Sequence, residues 1–220
     1  MDATPNVCAG PFGAFYDFYI ERPWLMRLVG RALWGIDALV LYESMRSIEI
    51  ADGAMILDVP CGGGVAFRVL RPGQNVRYVA VDLSEKMLAR ARRRARARSL
   101  SQVEFVVADM TELPFADGEV DLFLSYSGLH MLSAPELAVQ EIGRCLKPGG
   151  RLHGTTFLAG GSRRARALFG LGGLSGHPLP PPREELHKWL TAAGIADLSI
   201  GPQHGFVAFS GRKQASAEPE

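Results

Sequence analysis

The stretch Ile56-Leu57-Asp58-Val59-Pro60-Cys61-Gly62-Gly63-Gly64 constrains this chain more than any other. The apolar run from Met55 to Val59 predicts a buried strand, and Val65 to Leu70 predicts the start of a helix. Three consecutive glycines lie between them. Without Cβ atoms they allow a tight turn and a close backbone approach to a ligand. A strand, a glycine turn and a helix in that order predict an α/β domain with a nucleotide at the turn. An ordinary strand-to-helix connection without a ligand is the alternative.

The chemistry of the turn narrows the nucleotide. A dinucleotide fingerprint, G-x-G-x-x-G, needs a last glycine for close helix–strand packing, and Phe67 holds that position here. Asp58 at the mouth of the turn would repel a pyrophosphate and attract an ammonium group. No Gly-Lys-Ser/Thr follows, which argues against a phosphate-cradling loop.

A chain of 220 residues with 47% apolar content and a formal net charge of +1 suits a single α/β domain, and its bulk charge does not point to a polyanion partner. Cys8, Cys61 and Cys145 show neither paired-cysteine nor zinc-ligand spacing, so no metal is expected. Cys61 reads as a passive small residue, since no local His or Asp is arranged to activate it. The absence of a basic-then-apolar leader and of a run of about twenty apolar residues gives a cytoplasmic expectation.

In chain order, residues 13 to 45 carry helical periodicity interrupted by Pro23, and their aromatics suit either core packing or a cover over an apolar acceptor. Arg22, Arg27 and Arg31 add a peripheral membrane contact as an alternative. Arg77 to Asp82 predicts a second strand ending in a carboxylate 24 residues after Asp58, where an acid can accept both ribose hydroxyls. The alternative for Asp82 is a favourable charge at a helix start, with Ser84 capping the next helix. That helix, Glu85 to Ser99, is rich in arginine. Met87, Leu88, Ala91 and Ala95 offer a sheet-facing stripe and no aromatics are interleaved, so the arginines read as a solvated face rather than a nucleic-acid site.

Val103 to Ala108 and Val120 to Ser125 predict strands three and four. Asp109 and the Met110 N–H could read an adenine edge. Tyr126, Ser127 and His130 follow strand four at the carboxyl edge, where open α/β sheets place ligands. Pro135 to Leu146 predicts a helix stopped by Lys147-Pro148-Gly149-Gly150, with a fifth strand over Arg151 to Leu158. Residues 159 to 182 predict a substrate loop whose Phe169 and Leu171 could wall an apolar acceptor opposite the N-terminal aromatics, Arg183 to Ala193 a last helix, and Leu198 to Ile200 with Phe206 to Ser210 a terminal hairpin.

The ordered stretches ILDVPCGGG, VAVDLSEKML, VADMTELPF, VDLFLSYSGLHML and EIGRCLKPGGRL resemble the class I S-adenosylmethionine-dependent methyltransferases, especially the small-molecule branch near the ubiquinone and menaquinone C-methyltransferases. The resemblance covers residues 50 to 158 well. It implies a Rossmann-like three-layer sandwich with a mostly parallel seven-stranded sheet, the last strand antiparallel. With the aromatic N-terminal helices and the polar tail, the chain is expected to divide into an N-terminal helical lid over residues 1–50, a methyltransferase domain over 51–213 and a disordered tail over 214–220.

By the same resemblance, S-adenosyl-L-methionine would contact Asp58, Cys61, Gly62, Gly64, Asp82, Leu83, Asp109, Met110 and Ser125. Its methionine part would sit on the Asp58 to Gly64 turn, its ribose on Asp82 and its adenine on Asp109 and the Met110 backbone. The implied activity is methyl transfer to an O, C or N of a small, largely apolar acceptor. His130 is the candidate base, with structural hydrogen bonding as its alternative, and Tyr16, Tyr19 and Tyr126 are acceptor-side candidates. An RNA or protein methyltransferase and a cofactor-binding protein without transfer activity are the competing classes. Pro60 departs from the glycine common in the family and removes one N–H donor.

Overall fold

The protein is described here by a computed structural model over residues 22–34, 37–174, 178–201 and 205–215. The expectations for Tyr16, Tyr19 and the other aromatics before Arg22, and for most of the C-terminal tail, lie outside the described residues.

Seven strands form one sheet in the order β3-β2-β1-β4-β5-β7-β6. They are β1 (Met55–Asp58), β2 (Arg77–Asp82), β3 (Val103–Val107), β4 (Val120–Tyr126), β5 (Leu146–Leu158), β6 (Ile195–Ile200) and β7 (Gly205–Lys213). The first five run parallel, and β7 inserts antiparallel between β5 and β6. This is the sheet the family resemblance implies.

The central strands read as continuous apolar runs because both faces are covered: all four residues of β1 are buried, as are five of six in β2. One core packs Ile56, Phe67, Tyr78, Ala80, Leu88, Leu122 and Leu124 beneath α2 (Val40–Arg46) and α3 (Glu85–Ala97). The other packs Leu57, Val79, Phe123, Ile142, Leu152, Leu186 and Leu190 beneath α4 (Pro135–Cys145) and α6 (Arg183–Ala192). In α3 the buried residues are Met87, Leu88, Ala91 and Ala95, as their spacing predicts. Its arginine face is tied locally: Arg92 pairs with Glu85 at 3.2 Å and lies 5.3 Å from the Phe105 ring centre.

Three segments differ from expectation. The turn is followed by one 3₁₀ turn, Val65–Val69, rather than a long helix. Lys147-Pro148-Gly149-Gly150 belongs to β5 and loops outward, because Val120 pairs with Leu146 while Leu122 pairs with Arg151; Gly149 takes φ +77° in this bulge. Residues 159 to 182 contain a helix, α5 (Arg163–Leu174), which touches the π-helical turn Gly30–Trp34 that continues α1 (Pro23–Val29).

Candidate active site

The carboxyl ends of β1, β2 and β4 bring the predicted groups to one edge. Asp58 pairs with Ala80 on one side and Leu124 on the other, so Asp82 and Tyr126 end strands that flank it. The turn that leaves β1 is fixed by backbone contacts: Cys61 N–H donates to the Val81 carbonyl at 2.8 Å and Gly64 N–H to the Cys61 carbonyl at 2.8 Å.

Two glycines of the turn have left-handed backbones that favour glycine, Gly62 at φ +52° and Gly64 at φ +83°. Their surroundings differ. A Cβ on Gly64 would press on the Phe67 ring, whereas a Cβ on Gly62 would meet no protein atom within 4 Å. Gly62 thus presents bare backbone to open space. Phe67, at the position where a dinucleotide fingerprint has glycine, is fully buried and packs edge-on against Tyr78 with ring centres 5.5 Å apart.

Asp82 joins the turn to the next helix. Its Oδ2 accepts from Gly62 N–H at 2.9 Å and its Oδ1 from Ser84 N–H at 2.9 Å. Ser84 also caps α3 by accepting from Met87 N–H at 3.4 Å. A carboxylate has about four acceptor sites, so both oxygens keep capacity for hydroxyl donors. Burial raises the Asp82 pKa, opposed by the hydrogen bonds from Ser84 and Gly62. Leu83 beside it is 61% exposed, an unusual position for leucine and a ready apolar surface for a planar ligand.

Asp58 is only 1% exposed. Its Oδ2 accepts from the Tyr78 hydroxyl at 2.8 Å, and its Oδ1 is buried with no hydrogen-bond partner. Burial pushes the Asp58 pKa up to about 8, the Tyr78 hydrogen bond pulls it down and the Asp82 charge adds to the rise. Burial, with Asp58 and Asp82 nearby, also raises the Cys61 pKa well above its ordinary value and keeps it a thiol. Among the described residues no group of three or more His, Cys, Asp or Glu could hold a metal ion.

The segment after β3 is pinned from α4. Leu113 N–H donates to Glu141 Oε2 at 2.7 Å, and Arg144 donates to the carbonyls of Phe115 at 2.7 Å and Leu113 at 3.0 Å. Arg144 also binds Glu141 and Asp117. The loop that begins with Asp109 and Met110 is thereby held. Asp109 is exposed, its Oδ1 accepting from the Thr111 N–H and hydroxyl at 2.8 and 2.7 Å, while Met110 is 5% exposed. Pro60, linked to Val59 by a cis peptide, packs on Gly128, where any Cβ would collide with its ring.

Ser125 is fully buried and its hydroxyl has no hydrogen-bond partner. Tyr126 is buried with the Ser44 hydroxyl as a polar neighbour. His130 lies on the 3₁₀ turn Leu129–Met131, with Nδ1 3.4 Å from the Thr156 hydroxyl. Burial pulls its pKa down to about 4, so the imidazole is neutral near pH 7.

Of the ring wall around His130, the sequence suggests Phe169 alone; Phe157 and Phe206 it does not reveal. Phe157, near the end of β5, meets the rings of His130, Phe169 and Phe206 at 4.9, 5.2 and 4.9 Å between centres. Reading the sequence also did not find Tyr78 or Arg144. Arg144 lay in a quoted motif, but its partners become visible only when α4 packs on the sheet.

Two clefts are present, and the second reaches the turn at Gly64. One of about 450 Å³ is lined by Trp24, Arg27, Leu28, Arg31 and Leu39, and one of about 220 Å³ by Gly64, Val65, Arg68, Arg94 and Arg98. Neither contains Asp58, Asp82 or Asp109, and the converging acids mark the edge better than cavity size does. No helix among the described residues is long and apolar enough to cross a membrane.

Residues 57–153 match the methyltransferase domain family. A ubiquinone/menaquinone biosynthesis C-methyltransferase of Roseobacter denitrificans is 37% identical over 120 residues, covering 54% of this chain and 48% of that protein. A 27-O-demethylrifamycin SV methyltransferase of Amycolatopsis mediterranei is 28% identical over 158 residues, covering 68% of this chain and 57% of that protein. Among solved structures, the 4+2 cyclase SpnF has a TM-score of 0.66 and 26% identity, over 85% of this chain and 84% of that one. The chain spans about half the length of these curated relatives. Family match, sheet order and similar proteins agree: residues 57–153 match the methyltransferase domain family, and the chain resembles the class I, S-adenosylmethionine-dependent methyltransferases, the ubiquinone/menaquinone C-methyltransferases among them.

Proposed function

We propose that this protein methylates an O, C or N atom of a small, largely apolar acceptor at the carboxyl edge of the sheet. The observation that carries the reading is the 2.9 Å bond from Gly62 N–H to Asp82, which makes the glycine turn and the ribose-side acid one preorganised unit. Three features fit S-adenosylmethionine: the open face of Gly62, the exposed Leu83, and the buried Asp58 oxygen that lacks a partner. When bound, the cofactor supplies a methyl group already activated by a positively charged sulfur.

The Asp58 to Gly64 turn, with Cys61 and Gly62, holds the methionine part in this reading. Asp82 accepts from the ribose hydroxyls, Leu83 covers an apolar face, and Asp109 with the Met110 backbone takes the adenine. Ser125 lines the inner end. The remaining task is to place the acceptor in line and keep water out. Tyr126 and the ring wall of Phe157, Phe169 and Phe206 bound that space, with α5 against the π-helical turn as support for a cover. In this reading the described parts of the 1–50 and 159–182 segments, α1 with its π-helical turn and α5, serve as this cover over the 51–213 domain. His130, neutral and buried, borders the acceptor as a hydrogen-bonding group rather than as a strong base.

The likeness to the 4+2 cyclase SpnF supports a second reading, in which the domain binds cofactor and acts without transferring a methyl group. Labelled S-adenosylmethionine and an acceptor library separate the two. Label in a small apolar product is expected. Cofactor binding with no transfer across the library would favour the second reading, and label in RNA or protein would overturn the small-acceptor proposal.

A further inference from the structure

Among the described residues, Asp58 is a buried carboxyl with one oxygen left without a partner. A carboxylate removed from water is costly unless several hydrogen bonds or an opposite charge offset the lost hydration. Asp58 receives one hydrogen bond, from Tyr78, and its second oxygen is buried without a partner. The titratable groups facing it are Tyr78 on β2, Tyr126 on β4, Cys61 in the turn and Asp82 at the end of β2. None is a cation, and Asp82 is of like charge. A neutral carboxyl satisfies this surrounding better than a carboxylate does.

The turn just beyond Asp58 is where the methionine part of the cofactor sits in the proposed reading, and this inference rests on it. That part carries an ammonium group, and an opposite charge within about 4–6 Å favours ionisation of a carboxyl. We propose that Asp58 holds a proton in the free protein and releases it to solvent when the cofactor's ammonium group arrives, with Tyr78 as the positioning residue of the pair. The balance is simple: the neutral acid and the ammonium ligand give a carboxylate–ammonium pair and one free proton. No bond other than Asp58 O–H breaks. Tyr78 keeps its hydrogen bond throughout and favours the charged form.

The linkage has a definite sign. Between the lower pKa of the occupied state and the value near 8 of the free state, each binding event releases close to one proton. Affinity therefore climbs about tenfold per pH unit from pH 6 to 7, below the titration of a free α-amino group at about 8.

The test is calorimetric titration of the whole chain with S-adenosylhomocysteine in phosphate and in a buffer of high ionisation enthalpy, repeated from pH 6 to 7. About one proton released per site is expected. 5′-Methylthioadenosine, which keeps adenine and ribose but lacks the ammonium, should bind with no release; this arm removes any contribution from Asp82. Asp58→Asn should bind S-adenosylhomocysteine with a flat pH profile. Tyr78→Phe should weaken binding at pH 7 and extend the pH-dependent region upward, a change that a purely packing role would not produce. Binding of S-adenosylhomocysteine to the natural sequence without proton release overturns the inference. No binding at any pH overturns instead the cofactor-site reading beneath it.

Discussion

Replacing the two left-handed glycines of the turn by alanine separates what the turn does for the fold from what it does for the ligand. At Gly64 two costs combine. A left-handed alanine costs roughly 1–2 kcal/mol in backbone energy. The new Cβ would also lie 2.7 Å from Phe67 Cδ2 and 2.9 Å from Cζ, with Cε2 closer still. Phe67 is 0% exposed and wedged against Tyr78 and Phe105, so it has nowhere to swing. Overpacking of this kind adds about 1–3 kcal/mol. A total near 3 kcal/mol corresponds to a loss of about 6–12 °C in Tm for a chain of this size.

At Gly62 only the backbone cost applies, because nothing lies within 4 Å of its would-be Cβ. Gly62→Ala should lose about 1 kcal/mol of stability, yet weaken S-adenosylhomocysteine at least tenfold, since the methyl enters the ligand's space. Differential scanning calorimetry and titration calorimetry on both variants read the contrast. Equal stability of Gly64→Ala and the natural sequence would refute the packing argument. Affinity of Gly62→Ala within twofold of the natural value would place the ligand elsewhere.

Asp82→Ala should cost roughly 2–4 kcal/mol of cofactor affinity through lost charged hydrogen bonds and, unlike Asp82→Asn, should also loosen the turn; comparing hydrogen exchange at Gly62 in the two variants checks this. His130 carries a depressed pKa, so its contribution to stability is present above pH 6.5 and is lost as pH falls toward 4, by about 1.4 kcal/mol per unit. His130→Gln should flatten that acid slope in denaturation curves against the natural sequence, and methyl transfer should show no rate limb near pH 6.5. Phe169→Ala removes one ring packed edge-on against Phe157 and should raise the acceptor KM while leaving S-adenosylhomocysteine affinity within about twofold; an equal loss in both would place Phe169 outside the acceptor wall.

Most of the sheet was legible because its strands are apolar runs that end in polar groups, as at Asp58, Asp82 and Ser125. The strand count and the inserted antiparallel strand were not legible from periodicity and came through the family resemblance, while the order of the strands is visible only in the folded sheet. The bulge at Lys147–Gly150 carried helix-stop residues and read as a boundary, yet Leu146 already pairs with Val120. The helix α5 was hidden by its three glycines, whose weak helical propensity argues for a loop; its Phe169 reaches Phe157 across the fold.

In the site, the acids at strand ends were legible because the spacing of Asp58 and Asp82 is local information. Tyr78 was not. Ile56 is opposite Tyr78 and Asp58 opposite Ala80, so the Tyr78–Asp58 bond is a diagonal contact between neighbouring strands. Only the register of β1 on β2 creates it.

In the proposed reading the two sides of the site are built from different materials, and this bears on how one such domain accepts different chemistry. The cofactor side is held by the main chain: Gly62 and Ser84 N–H groups bind Asp82, and the Leu113 and Phe115 carbonyls bind Arg144. A substitution there strands a buried donor or acceptor, at a cost of about 1–3 kcal/mol each. The proposed acceptor side is ring against ring, Phe157 with His130, Phe169 and Phe206, with the Thr156 hydroxyl 3.4 Å from His130. Exchanging one apolar side chain for another there changes shape without orphaning a polar group, which cores tolerate well when volume is conserved. If Phe157, Phe169 and Phe206 bound the acceptor as proposed, that wall can be reshaped while the cofactor turn stays fixed, and acceptor identity would reside in β5, α5 and β7 rather than in the glycine turn.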